Sequence, residues 1–175
     1  MVSLMDKNSY KIECPICHKS IDVTILPYDT PNYGEILIMI IFCSSCGYKD
    51  ISITSSKSSN PKRIVFKIES KDDLFIRVIK SETCTVSIPE LSVIIEPCQK
   101  SQIMVTNVEG LLSWIKDLTL KTEIVLESDE GKLKCLEIAK KIDDAINGKY
   151  NLTIILEDTN GNSILLSDKA KVESY

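Results

Sequence analysis

Short runs of β-branched and aliphatic residues, separated by polar residues or proline, dominate the chain between residue 63 and the region around residue 105. Period-two alternation, or a short apolar run bounded by turn residues, predicts a β-strand. The predicted strands of this stretch are RIVFKIES, DLFIRVIK, CTVSI, LSVIIE and QIMVT. Their length and succession favour an antiparallel sandwich or barrel.

The apolar spacing changes from the strand period to the helical period at Thr106. The motif TNVE predicts a capping box there, in which the Thr106 hydroxyl accepts from the Glu109 amide and the Glu109 carboxylate accepts from the Thr106 amide. A second helix is predicted from about Glu130 to Asn147, where NG ends it. We interpret the two apolar stripes as the packing surfaces of a helical hairpin. The stripes are formed by Val108, Leu111, Ile115 and Leu118, with Trp114 beside them, and by Cys135, Ile138, Ala139, Ile142 and Ile146.

The strand pattern returns after the predicted helices. NLTIILED is followed by the turn TNGN and then by SILL. Asn-Gly is a strong signal for a two-residue turn that joins adjacent antiparallel strands. The sequence therefore predicts a β-hairpin turning at Asn160-Gly161.

Four cysteines near the start of the chain have the spacing of a metal site, C-x2-C-x25-C-x2-C. Two residues between cysteines allow a tight turn, or knuckle, that aims both sulfurs at one ion, and two knuckles supply a tetrahedron of thiolates. The spacer contains two predicted strands, Ile21–Leu26 and Glu35–Phe42, with the turn-forming PYDTPNYG between them. This layout predicts a zinc ribbon. The predicted ligands are Cys14, Cys17, Cys43 and Cys46.

Zinc is the predicted metal of this site, and iron in a rubredoxin-like site is the alternative, since the same thiolate set accepts it. The long hairpin and a large second domain without a redox partner motif favour zinc. Zinc held by four thiolates has no open coordination position, so its predicted role is to stabilise the fold. Gly47 suits a sharp turn after Cys46. His18, the only histidine, is predicted to be an exposed knuckle residue, because four sulfurs already satisfy the ion.

The remaining composition argues against several other functions. The sequence has no G-x-x-x-x-G-K-[ST], G-x-G-x-x-G or G-x-S-x-G motif and no second histidine, so we expect no enzyme. A net charge of −4 argues against a broad electrostatic contact with nucleic acid. The other cysteines, Cys84, Cys98 and Cys135, are predicted to be small buried hydrophobes.

The 175 residues are predicted to form a zinc ribbon (1–54), a linker or long loop (55–62) and a β domain (63–175) with a helical hairpin inserted at about 107–148. The boundary follows from the serine-rich stretch TSSKSSNPKR. The seven cysteines cannot all pair within the chain, and neither a signal-peptide pattern nor a membrane-length apolar run is present. We therefore expect a cytoplasmic protein without a disulfide framework and without membrane association.

The run PNYGEILIMIIFCSSCGY resembles the signature of the ZPR-type zinc-finger family, an aromatic PxF-x-E segment followed by an apolar strand and a Cys-x-x-Cys-Gly-aromatic knuckle. Three further blocks, SIPEL, TNVEGLL and LEDTNGNS, resemble family blocks in the family's order, so the resemblance covers nearly the whole chain. The positions that carry the signature are Pro31, Tyr33, Glu35, Cys43, Cys46, Gly47 and Tyr48.

The resemblance implies a four-cysteine zinc ribbon followed by a double-stranded β-helix domain with an inserted helical hairpin, in the single-module form found in archaea. It also implies a protein-binding function, because eukaryotic relatives bind the GTPase translation elongation factor 1-alpha and assist its folding. By this resemblance Pro31, Tyr33, Glu35 and Tyr48 are the predicted partner-binding residues, although both tyrosines also suit packing within the ribbon. The alternative function is a zinc-ribbon module that binds nucleic acid or the transcription machinery.

Overall fold

The first part of the chain forms a four-stranded antiparallel sheet of its own. The computed structural model of the chain describes residues 8–30 and 34–174. Within them the first sheet has the order β1-β2-β3-β4. Its strands are β1 (Asn8–Glu13), β2 (Ser20–Thr30), β3 (Gly34–Phe42) and β4 (Lys49–Ser55).

The central hairpin of this sheet is longer than the sequence predicts. β2 continues beyond Leu26, and its pairing with β3 extends to Thr30 opposite Gly34. The predicted turn therefore begins too early, and its residues 31–33 lie outside the described residues. The described pairing of β1 with β2 ends at Ile25, so beyond that residue one side of β2 has no described partner strand. Proline, which lacks an N–H, is tolerated at such an edge, and this explains Pro27 within β2.

The second part of the chain forms two further antiparallel sheets, which we call the sandwich (residues 62–174). One has the order β12-β5-β10-β7-β8 and the other has the order β11-β6-β9. This arrangement confirms the predicted antiparallel sandwich. The strands are β5 (Lys62–Lys67), β6 (Arg77–Lys80), β7 (Cys84–Ile88), β8 (Val93–Ile95), β9 (Met104–Asn107), β10 (Thr153–Asp158), β11 (Ile164–Leu165) and β12 (Lys171–Ser174).

Two helices, α1 (Val108–Val125) and α2 (Asp129–Ile146), form the predicted hairpin between β9 and β10. Val108, Leu111 and Ile115 of α1 are fully buried in the sandwich core, and Trp114 packs partly buried against that core. Ile142 of α2 is also fully buried there. The helix stripes predicted from the sequence are thus confirmed as packing surfaces. Among the described residues, no helix combines the length and hydrophobicity that a bilayer crossing needs.

The start of α1 differs from the predicted capping box. Thr106 belongs to β9, and Asn107 is the N-cap, whose side-chain oxygen accepts a hydrogen bond of 2.8 Å from the Gly110 amide. Asparagine is at least as good an N-cap as threonine. Pairing with Val78 keeps Thr106 in the sheet, so the helix begins one residue later.

The segment DLFIRVIK is also only partly a strand. Its first residues belong to a 3-10 helix, Lys71–Phe75, and β6 begins at Arg77. The cause is Asp73, whose carboxylate accepts hydrogen bonds from the backbone amides of Glu69 and Ser70 and thereby closes a turn. The carboxylate is 3% exposed and also forms an ion pair of 2.8 Å with Lys169.

The predicted β-hairpin at Asn160-Gly161 is wrong. β10 pairs with β5 and β7, whereas β11 pairs with β6 in the other sheet, so the chain crosses between sheets at this turn. The fully buried Asp158 explains the crossing, because its carboxylate accepts from the amides of Asn160 and Ser163 and from hydroxyls of β6–β7. The hydroxyl donors are Ser81 and Thr83, at 2.8 and 2.7 Å.

The segment between β4 and β5 is held to the same turn. The Ser59 amide donates to the Asn160 carbonyl at 2.7 Å, and the Asn162 side chain donates to the Lys57 carbonyl at 2.6 Å. Gly161 has a positive φ of 63°, and a Cβ atom there would collide with the Asn60 carbonyl oxygen. The serine-rich stretch is therefore attached to the sandwich by hydrogen bonds to its own backbone groups.

Candidate metal centre

Two knuckles of the same construction hold the four cysteines at one end of the first sheet. The first knuckle joins β1 to β2, and the His18 amide donates to the Cys14 carbonyl at 3.0 Å. The second joins β3 to β4, and the Gly47 amide donates to the Cys43 carbonyl at 2.8 Å. Each pair of strands thus positions two of the four sulfurs at this end of the sheet.

His18 and Gly47 occupy equivalent positions, each directly after the second cysteine of its knuckle. Both have left-handed backbone conformations, with φ of 60° and 78°. Glycine adopts this conformation at little cost, and histidine adopts it more readily than most residues. The turn predicted at Gly47 is present, and the first knuckle accommodates the same turn with a histidine.

The four sulfur atoms have the spacing that one tetrahedral ion requires. They all lie within 4.8 Å of one another, and two close pairs join one knuckle to the other. The distances in these pairs are 3.6 Å from Cys14 Sγ to Cys46 Sγ and 3.6 Å from Cys17 Sγ to Cys43 Sγ. A Zn–S bond of about 2.3 Å implies tetrahedral edges of about 3.8 Å between sulfurs. The donor set therefore fits a zinc ion.

The electrostatics of the cluster also suit a divalent cation. Burial raises the pKa of the Cys43 thiol, but hydrogen bonds from the Cys46 and Ser45 amides more than offset it, and the pKa falls to about 6. The Tyr48 amide lowers the pKa of Cys46, yet burial and the neighbouring sulfurs raise it to about 12. The cluster thus ionises in part by itself, and complete ionisation needs a positive charge among the sulfurs.

The metal ligands are part of the small core of the first sheet. Cys14 and Cys43 are fully buried beside Ile21, Val23 and Ile41. Cys17 is half-buried and Cys46 is exposed. Because two of the four ligands replace core side chains, the metal and the packing of the sheet depend on each other.

His18 lies outside the sulfur cluster, as the sequence predicts. Its side chain is exposed, and Nδ1 lies 2.6 Å from Glu13 Oε1. The structure therefore assigns His18 to a surface contact beside the knuckle.

The four predicted partner-binding residues do not form one described cluster. Pro31 and Tyr33 lie outside the described residues. Glu35 is half-buried on β3 opposite Asp29, and its carbonyl accepts from the Ser56 amide and hydroxyl. Tyr48 is half-buried and packs against the core of the first sheet. The packing role that the sequence allowed for Tyr48 is present.

The three remaining cysteines have different environments. Cys84 and Cys135 are buried, as predicted, and burial raises the pKa of Cys84 to about 11. The prediction for Cys98 is wrong, because its side chain is exposed. It begins a turn in which its amide donates to the Ser101 hydroxyl and its carbonyl accepts from the Ser101 amide. Cys98 therefore lies in a surface turn and not in a strand that faces the core.

Both parts of the chain match known protein families. A family model described as the ZPR1 zinc-finger domain matches residues 8–61, and one described as the ZPR1 jelly-roll domain matches residues 72–175. The jelly-roll match agrees with the sandwich and with the double-stranded β-helix domain implied by the sequence. The zinc-finger match and the sulfur geometry together identify zinc as the cofactor.

Individual relatives cover nearly the whole chain. A ZPR1-like protein of Methanocaldococcus jannaschii, described as uncharacterized, is 30% identical over 95% of this chain and 85% of its own length. Human zinc finger protein ZPR1 is 30% identical over 95% of this chain but only 39% of its own length. Zinc finger chaperone zpr1 of Schizosaccharomyces pombe is 30% identical over 86% of this chain and 33% of its own length. The chain thus spans most of the archaeal relative and a minor part of the eukaryotic ones.

Proposed function

The chain belongs to the ZPR1 family of zinc-finger proteins, and on this premise we propose that it is an adaptor or folding factor that binds translation elongation factor 1-alpha. The match over both parts of the chain is the observation that carries the proposal. The name of the fission-yeast relative, zinc finger chaperone, supports a client-binding role.

In this proposal the four cysteines hold zinc as a structural ion. Cys14, Cys17, Cys43 and Cys46 complete a tetrahedron by themselves, which leaves no position for a water molecule or a substrate. The ion fixes the two knuckles and, through Cys14 and Cys43, the core of the sheet. A binding protein without enzymatic activity is consistent with this closed site and with the zinc-finger and chaperone names of the relatives.

The partner in this proposal is a cytoplasmic protein and not a nucleic acid. The net charge of −4 gives the chain little electrostatic attraction for phosphates. We propose that Pro31, Tyr33, Glu35 and Tyr48 contribute to the contact. Tyr48 and Glu35 suit this role because the metal-fixed sheet holds them on a rigid framework, and rigid aromatic side chains are preferred interface anchors.

The proposal is tested by calorimetric titration of the zinc-loaded chain with purified archaeal elongation factor 1-alpha in nucleotide-free, GDP-bound and GTP-bound forms. We expect saturable binding that is lost in Cys43→Ser, because that change removes a buried ligand and with it the knuckle. Comparison of the three forms identifies the nucleotide state that is recognised.

Glu35→Ala and Tyr33→Ala are the contact-site variants, and both should weaken binding without loss of zinc. Equal affinity in wild type and both variants would remove these residues from the contact. Absence of binding in every nucleotide form would reject the elongation factor as the partner. Retention of the chain on RNA or DNA that falls with salt would then favour the nucleic-acid alternative.

A further inference from the structure

The first sheet has two apolar faces, of which only one contains a core of buried residues. Consecutive side chains of a strand point to opposite faces, so the register of β2, β3 and β4 sorts their residues into two sets. One set, with Val23, Met39 and Ile41, packs around the buried cysteines. We call the other set the isoleucine face. Its centre is formed by Leu26 of β2, Ile36, Ile38 and Ile40 of β3, and Ile51 and Ile53 of β4.

The isoleucine face is unpartnered within the described residues. None of its side chains belongs to the core of the first sheet or to the sandwich core, and none packs against either core. Among the described helices and strands, β3 and β4 make extensive contacts only with neighbouring strands of the same sheet. The Gln102 side chain donates to the Ile51 carbonyl and the Glu82 carboxylate accepts from the Ser55 amide, so the sandwich loops bond to the backbone of β4. Ile51 is 41% exposed, and Tyr28 and Phe42, which extend the face, are 44% and 57% exposed. Contiguous apolar patches of a few hundred Å² are often functional.

The charge pattern of the face determines what can bind. The register places Asp22, opposite Lys11, and Lys49, opposite Phe42, on this side of the sheet. All of them lie at the end of the sheet that carries the knuckles. The residues paired with Ile36, Ile38 and Ile40 on β2 and β4 include no Asp, Glu, Lys, Arg or His. A charged partner surface would be buried there without a counter-ion at a large cost, so the complementary surface is uncharged and apolar.

The size of the face argues for a short occupant. Three strands spaced by about 4.8 Å, over a length of about 20 Å from residue 36 to 42, give a flat footprint of about 300 Å². Stable protein complexes bury about 800 Å² on each partner. The face is thus too small to hold a second copy of the chain as a stable dimer, and it matches one short segment bound transiently.

We propose that the isoleucine face binds short apolar segments, in an extended conformation, of incompletely folded polypeptide chains. The β-branched rows of the face accept the alternate side chains of such a segment, as facing sheets do in a sandwich. The inference rests on the proposed folding-factor function and assigns its client contact to one surface of the molecule.

The test uses a fluorescein-labelled ten-residue peptide that alternates valine with threonine, titrated with the zinc-loaded full chain and followed by fluorescence anisotropy. A matched peptide has aspartate in place of each valine. The test variant is Phe42→Thr with Ile51→Thr, which removes apolar surface from the face and keeps strand-forming residues. Ile94→Thr is the control variant, because Ile94 is a 70% exposed isoleucine in strand β8 of the sandwich.

We expect saturable binding of the valine peptide, a loss of at least fivefold in affinity in the double variant, and wild-type affinity in Ile94→Thr. Zinc content and circular dichroism establish that each variant is folded. If the double variant is not folded, the single variant Ile51→Thr replaces it in the titration. Unchanged affinity in the double variant, equal loss in the control, or equal binding of the aspartate peptide would overturn the proposal.

Two further outcomes separate this inference from the proposed function. If wild type binds elongation factor 1-alpha but not the valine peptide, the inference fails and the proposed function stands. If the peptide binds through the isoleucine face but the elongation factor does not bind, the inference stands and that partner is rejected. A concentration-dependent dimer in sedimentation velocity, abolished by the double variant, would overturn the inference by showing that the face binds a second copy.

Discussion

Asp73 shows how one buried carboxylate determines the local path of the chain. It closes the turn before β6 by accepting two backbone hydrogen bonds and pairs with Lys169. Burial raises the pKa of Asp73, but the bond from Lys169 and the amides of Glu69 and Ser70 more than offset it and lower the pKa to about 2. A group whose pKa is lowered by folding stabilises the folded state where it is ionised.

The pH dependence of sandwich stability should contain this contribution. It is fully present above the ordinary aspartate pKa of about 4 and is lost as the pH falls toward 2, and it amounts to about 2 kcal/mol. Asp73→Asn should therefore reduce the loss of unfolding free energy between pH 5 and pH 2. Urea unfolding followed by the fluorescence of Trp114, the only tryptophan, measures this in the sandwich alone. Asp72→Asn, at an exposed neighbouring position, should keep the wild-type pH dependence; the same reduction there would contradict the assignment.

Gly161 is the residue at which the serine-rich stretch meets the sandwich. Gly161→Ala adds a strained left-handed alanine, which costs about 1–2 kcal/mol, and a collision with the Asn60 carbonyl. Gly148→Ala is the matched control, since its φ is also positive but its Cβ would meet only the flexible end of Lys71, at 3.2 Å. We expect Gly161→Ala to be at least about 1 kcal/mol less stable than the control, because backbone cannot move aside as a side chain can.

The same change should also expose the stretch to protease. Limited trypsin digestion should cut Gly161→Ala at Lys57 faster than it cuts the wild type or Gly148→Ala. Equal stability and equal cleavage in both glycine variants would show that the contact with Asn60 does not hold the stretch in place.

The helices and most strands could be predicted from the sequence because their signals are local. The i, i+3, i+4 stripe of α1 and the β-branched run of β7 each lie within one element. The cysteine spacing is local in the same sense, since each knuckle needs only five residues. The crossing at Asn160-Gly161 could not be predicted, because its cause is a set of hydrogen bonds that the Asp158 carboxylate accepts from hydroxyls in the distant loop between β6 and β7.

The start of α1 shows where two local signals compete. Asn107→Ala removes the observed cap and should cost about 1 kcal/mol of unfolding free energy. Thr106→Val preserves the β-branched shape in β9 and removes the hydroxyl of the predicted capping box, so it should change stability by less than about 0.5 kcal/mol. Urea unfolding of both variants measures the two losses of unfolding free energy and so identifies the N-cap. A larger loss in Thr106→Val than in Asn107→Ala would show that Thr106 is the cap.

On the scale of the whole molecule, the two parts of the chain have different sources of stability. The sandwich has a core of many aliphatic side chains, whereas the first sheet has a small core in which Cys14 and Cys43 take part. Zinc binding contributes about 10–16 kcal/mol in small zinc-finger peptides. The first sheet therefore needs the ion, and the sandwich does not.

Zinc removal should accordingly unfold only one part of the chain. With a strong chelator or in Cys43→Ser, we expect loss of the amide NMR signals of residues 8–55 while the fluorescence of Trp114 and the unfolding midpoint of the sandwich stay near their wild-type values. Cys98→Ser, an exposed cysteine outside the cluster, is the control and should retain one zinc per chain. Loss of Trp114 signal on chelation would show that the two parts unfold together.

The position of Asp158 in the chain also affects the order of events during protein synthesis. Its bonds to Ser81 and Thr83 join residues 77 and 75 positions apart, and the whole helical hairpin lies between them. The ribosome synthesises the chain from its N-terminus, so the zinc knuckles and the helices emerge with their local partners. The loop between β6 and β7 lacks its partners until Asp158 and Ser163 have been synthesised, because the Ser163 hydroxyl accepts from the Ser81 amide. Long-range contacts of this kind form slowly even in the free chain. We expect the nascent sandwich to remain open, and to need protection from aggregation, until the turn at Gly161 has left the exit tunnel.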